Sequence, residues 1–196
     1  MPIDSKAITR WERARSSYDY YMTFLHTKQT RTLSLLDLIF VSNFKGGNAT
    51  VCEPQGDIPA KLQFYDAIIE ALFEGYGRRH LGALKKTEVD QLASMCDQAL
   101  ALTCKSESNI LGFGPSRVSA LLHFHFPDLI PILDRRALNG AGIRVEVDSQ
   151  KQVIRMEQHY GSLIRYCHAR LRANPGLSLH TLDHDLFAQV LAPPFC

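Results

Sequence analysis

Leu111-Gly-Phe-Gly-Pro-Ser-Arg117, the helical stretch that follows it, and Pro131-Ile-Leu-Asp134 decide how this chain is read. Two glycines one residue apart permit a tight turn and leave the backbone bare of side chains. Pro115 suits the first position of a helix, where a missing N–H costs nothing. Val118, Leu121, Leu122 and Phe126 then recur on one helical face, which seats that helix on a core. Backbone N–H groups at such a turn and helix start are able to hold a phosphate. The plainer alternative is an ordinary connection between helices that needs two glycines. Asp134 lies 18 residues after Ser116. Taken alone, it reads as the N-cap of a helix over Arg135 to Asn139.

This order resembles the core of the helix-hairpin-helix DNA glycosylases, in which an L-P-G-V-G-like hairpin precedes a helix and a P-V-D or P-I-L-D segment. Pro131-Ile-Leu-Asp134 is similar to the form found in adenine-removing mismatch glycosylases, and the likeness covers about 30 of 196 residues. It implies an all-α, glycosylase-like bundle with the helix-hairpin-helix centred on residues 88–139. It also implies that Gly112, Phe113, Gly114 and Arg117, with Arg135 and Arg136, grip the backbone of duplex DNA. Asp134 would then stabilise the positive charge that develops on deoxyribose as the base leaves, or help activate the nucleophile. Bifunctional members carry a lysine where this chain has Ser116. With no amine there, the resemblance implies a monofunctional enzyme using water, with Ser116 lining the site. The cysteine spacing of the family's iron–sulfur cluster is absent, so no cofactor is expected.

The sequence departs from the family at Leu111, which replaces the usual hairpin proline, and at Arg135-Arg136. A guanidinium beside Asp134 favours its ionised form, or ties it up in an ion pair. Two readings of other classes therefore stay open: a DNA-binding module that has lost base excision, and a helical interaction protein with no nucleic-acid role.

Outward from this core the chain reads as about seven helices in one unit spanning 1–196, with two lobes as a variant. Trp11, Tyr18, Met22 and Leu25 keep helical spacing. Leu35 to Val41 is nearly apolar all round and reads as a short buried helix, with a strand as the competitor. Leu62, Tyr65, Ile69, Leu72, Phe73 and Tyr76 mark a helix ending near Gly75 to Gly77. Thr87 is placed as the cap of a helix carrying Val89, Leu92, Cys96, Ala99 and Leu100. Ile143, Val145 and Val147 alternate briefly. A helix is expected from Ser149 through Val153, Met156, Tyr160, Leu163, Ile164, Cys167 and Leu171. A last short helix carries Leu179, Leu182, Leu186, Phe187 and Val190, before Pro193-Pro194.

A net charge of +2 permits a local basic face and excludes a histone-like binder. The five cysteines (52, 96, 104, 167 and 196) form no CxxC pair, which points to a reducing, cytoplasmic setting. No signal pattern or membrane-length apolar run is expected to send the chain to a membrane. His125 falls on an apolar stripe and reads as a buried, hydrogen-bonded histidine. His180 and His184 share a helical face but have no third metal ligand in view, so no metal is assigned. The arginines of the long C-terminal helix read as a solvated face. Asn43-Phe-Lys-Gly-Gly-Asn48 lacks a phosphate-loop pattern and is left as a helix cap or a loop touching DNA.

Overall fold

A computed structural model describes residues 5–46, 52–150 and 152–189 together with Val51. Among the described residues the chain is all-helical, with eight α-helices and no strand. These are α1 (Ser5–Thr27), α2 (Leu35–Phe44), α3 (Ile58–Tyr76), α4 (Lys86–Ala101), α5 (Pro115–His125), α6 (Arg135–Gly140), α7 (Tyr160–Ala173) and α8 (Leu179–Ala188). No helix among them is long and apolar enough to cross a membrane.

Helix α5 carries the centre of the core. Val118, Ala120, Leu121, Leu122 and Phe124 are all buried, and α1, α2 and α4 pack around them. Helix α4 crosses α7 where small residues meet, because a Cβ on Gly161 would stand 3.6 Å from that of Ala93. Helix α6 presses still closer on α8. A Cβ on Gly140 would lie 2.5 Å from the carbonyl oxygen of Leu186, so only glycine fits that crossing.

Helix α2 is joined to α1 by a buried carboxylate. Asp37 accepts from the Tyr21 hydroxyl at 2.9 Å, the Lys28 ammonium at 2.7 Å, and both the backbone N–H and hydroxyl of Ser34. Four donors offset the loss of water around one charge. Helix α2 is not buried all round, however. Leu38 and Val41 face the core while Leu36 and Ile39 are about half exposed. Tyr21 is buried by this arrangement and Tyr20 is left on the surface.

Two helix starts differ from the sequence pattern. The cap of α4 is Lys85, whose N–H is taken by the Glu88 carboxylate at 2.7 Å, and Thr87 lies inside the helix. The helix expected from Ser149 begins only with a 3-10 turn over Met156–His159, and α7 starts at Tyr160. Before it, Val147 and Val153 pair across a turn in which the Asp148 carboxylate accepts the N–H groups of Gln150 and Gln152. Asp148 thus offers the backbone a local alternative to a helix. Arg155, at φ 51°, ends the extended piece.

Asp37→Ala is expected to cost about 3 kcal/mol or more, because Lys28, Tyr21 and Ser34 lose their shared acceptor. Urea unfolding followed by circular dichroism checks this.

Candidate nucleic-acid interface and the Asp134 site

Residues 110–113 form a turn closed by the Phe113 N–H on the Ile110 carbonyl at 2.9 Å. Gly112 sits at φ 85°, the left-handed conformation that the third position of such a turn requires. Gly114 differs. Its φ of −78° is open to any residue, and nothing lies within 4 Å of where its Cβ would be. The fold gives no internal reason for glycine there. Gly114 caps α5, with Pro115 in the first turn.

The turn is braced from outside. The Leu111 N–H donates to Glu53 at 2.9 Å, and the Leu111 carbonyl accepts the Cys52 N–H at the same distance. Lys61 reaches both Glu53, at 2.6 Å, and the Asn109 carbonyl, at 2.7 Å. Lys61 and the Leu111 N–H hold the Glu53 carboxyl below its usual range. The brace leaves the N–H groups of Gly112, Gly114 and Ser116 with no acceptor among the described residues. Arg117, one turn into α5, has a buried Nε without a partner, and burial pulls its pKa down.

Asp134 is tied to this turn through one hydroxyl. Ser119 donates to the Ser116 carbonyl at 2.9 Å and accepts the Leu133 N–H at 2.9 Å. Ser116 and Asp134 are therefore brought to the same end of α5. The Pro131 carbonyl accepts the Tyr160 hydroxyl at 2.8 Å, and the Ile132 N–H points to Asp183 at 3.4 Å. Asp134 caps α6, its Oδ1 accepting the Ala137 N–H at 2.8 Å, and its Oδ2 lies 3.3 Å from Lys45 Nζ. Both side chains of this pair are less than a fifth exposed.

Behind Asp134 lies a buried polar group of three helices. His123 Nδ1 meets the Ile130 carbonyl at 2.8 Å, and its Nε2 lies 3.5 Å from the Tyr18 hydroxyl. Burial pushes the imidazole down to about 4, so it is neutral at pH 7. Asp183 is buried 3.8 Å from His123, with no partner for Oδ1. Burial, with Asp134 nearby, raises its carboxyl well above 3.8. The buried and bonded histidine is thus His123. His125 is half buried and its Nε2 has no partner.

The other expected DNA contacts are placed unevenly. Phe113 is buried, so only its backbone borders the turn. Arg136 faces the end of α8, 3.4 Å from the Phe187 carbonyl and over the Phe187 ring. Arg135 is half buried at the start of α6. His180 and His184 pack their rings against Trp11, and no metal-holding group of His, Cys, Asp or Glu occurs among the described residues. On α7, Arg165 pairs with Asp90, and His168 is buried against the Leu84 carbonyl. Cys52, Cys96, Cys104 and Cys167 are free thiols, and Cys196 lies outside the described residues.

Lys45, Asp183 and His123 are the members of this site that the motif reading missed. Lys45 carried the one available signal, as the lysine before two glycines at the end of α2. Comparison with protein-family models, curated proteins and solved structures finds no match for this chain.

Asp183 binds its proton more tightly when folded than unfolded, so it lowers stability as pH rises above about 3.8. Asp183→Asn removes that dependence. Its stability relative to the parent protein is expected to rise between pH 4 and pH 8 in urea unfolding. A pH-independent difference would show that Asp183 titrates as it does in water.

Proposed function

We propose that the protein binds duplex DNA by its phosphates at Gly112 to Arg117 and acts on a deoxyribose at Asp134 as an N-glycosylase. The observation that supports this best is the set of three N–H groups without acceptors beside the unpaired Arg117. A phosphate brings the acceptor oxygens and the negative charge that such a turn lacks. The bare outward side of Gly114 allows a backbone approach that a side chain would block.

Cleavage of an N-glycosidic bond develops positive charge on the sugar. A carboxylate held in place and largely removed from water stabilises that charge without reorganising. In this reading Asp134 is that carboxylate, with the base extruded from the duplex. In the same reading Ser116 is a polar lining residue that offers no amine. A second reading, a DNA-binding module without base excision, draws support from Lys45, which already neutralises Asp134 at 3.3 Å. Under the first reading Asp134→Asn abolishes base release from a substrate duplex; under the second, the parent protein releases no base.

Gly114→Asp and Gly114→Ser separate DNA binding from folding. Aspartate and serine are both favourable helix caps, so each variant is expected to fold with stability near that of the parent. Only aspartate sets a negative charge against an incoming phosphate. Affinity for duplex DNA, titrated against salt, is expected to fall at least about tenfold in Gly114→Asp and little in Gly114→Ser. Equal affinities in the two variants would place the DNA contact elsewhere.

A further inference from the structure

We propose that the groove between α1, α3 and the far end of α5 is a small-molecule site whose ligand is an apolar carboxylate. This site stands apart from the DNA reading and does not depend on it.

The groove measures about 720 Å³, a volume within the range of small-molecule sites. The last turns of α1 and the link after them form one side, the second half of α3 another, and residues 124–129 a third. Helix α5 is 11 residues long, or about 16 Å, and the glycine turn stands at its other end. Met22 and Leu25, Ile69 and Phe73, and Phe126 and Leu129 give the groove apolar walls from all three sides.

Lys28, Arg31, Arg78 and Arg79 also line it. Lys28 is engaged by Asp37 at 2.7 Å, and Arg79 gives both ends of its guanidinium to Glu88 at 2.9 and 3.0 Å. Arg31 is different. Its guanidinium lies over the Phe73 ring, 3.5 Å from the centroid. Contact with a ring face steadies a guanidinium and leaves its edge N–H groups free. The Glu70 carboxylate stands 3.7 Å off, beyond hydrogen-bond length, and Arg31 donates to no acceptor among the described residues. Arg78, just past the end of α3, has neither hydrogen bond nor ion pair among them. Half-buried His125 lines the same groove, and its Nε2 has no partner. Burial, opposed by Asp37 and assisted by Lys28 and Arg31, pushes that imidazole down to about 4. It is a neutral polar group at pH 7.

These features select the ligand. A free guanidinium edge matches a carboxylate, which accepts two parallel N–H bonds. Glu70 and Asp128 line the groove as well, so a doubly charged phosphate meets two carboxylates where a single charge is better balanced. The apolar walls need an apolar body to cover them, which a small hydrated anion does not have.

Titration of the full chain with phenylbutyrate and with octanoate, read by calorimetry and by amide NMR shifts, tests this. At least one of the acids is expected to bind saturably, with the largest shifts at Arg31, Ile69, Phe73 and His125. Its neutral primary amide is expected to bind at least about tenfold more weakly, and Arg31→Gln to weaken the acid by a similar factor. Arg31 is half exposed, so this variant is expected to fold, which circular dichroism checks. Arg78→Gln, at an exposed position, provides a second variant, expected to weaken the acid several-fold. Inorganic phosphate is expected not to displace the acid. Equal affinity for acid and amide, unchanged affinity in both variants, or displacement by equimolar phosphate overturns carboxylate recognition. Absence of saturable binding by either acid at millimolar concentration, or shifts centred away from the groove, overturns the site itself. The DNA reading is untouched by any of these results.

Discussion

The hydroxyl of Ser119 is the contact on which the site depends. It donates to the carbonyl of Ser116 and accepts the N–H of Leu133, so the start of α5 and the backbone just before Asp134 are held by one atom of one helix. Residues 131–133 are extended but belong to no sheet, so their backbone groups need partners from side chains. Ser119 on α5, Tyr160 on α7 and Asp183 on α8 provide them. Asp134 is thereby positioned by three helices rather than by its own loop. That is the kind of support a group needs if it is to meet a developing charge without moving.

The same packing sets the electrostatics. Lys45 and Asp134 stand at the edge of the core, while His123 and Asp183 stand inside it. Burial keeps the imidazole neutral and holds a proton on the inner carboxyl far above its usual range. Asp183 in its protonated form places no second negative charge behind Asp134. The Lys45–Asp134 pair is itself largely shielded, so water screens it weakly. Two further buried polar atoms have no partner, Nε of Arg117 in the first turn of α5 and Oδ1 of Asp183 beside His123 in its last.

The all-helical architecture could be read from apolar spacing, because α1, α3, α5 and α8 carry long runs at helical intervals. The failures have local causes. Val153 kept helical spacing with Met156 and Tyr160, yet Asp148 captured the backbone into a turn and Val153 paired with Val147. Thr87 was a plausible cap, but Glu88 reaches back to Lys85 instead. Gly112, Gly114, Ser116 and Asp134 stood out because the chemistry of a glycine turn and a capping carboxylate is short-range. Lys45 lies 89 residues before Asp134, so no local pattern could join them. Asp183 belongs to α8, 51 residues along the chain from Ile132, and meets the Asp134 segment only once the helices have packed, through the Ile132 N–H. The resemblance puts Phe113 among the DNA contacts, but its side chain is a core residue, buried between the two glycines of the turn.

The most direct measurement follows the backbone amides of the glycine turn by NMR during titration with a short duplex carrying a tetrahydrofuran abasic site. The N–H groups of Gly112, Gly114 and Ser116 have no acceptor within the described protein, and a phosphate placed there gives them one. The account predicts that these three amides show the largest downfield shifts, with smaller changes at Asp134 and Lys45. Shifts centred on another surface, or none at low salt, would contradict it.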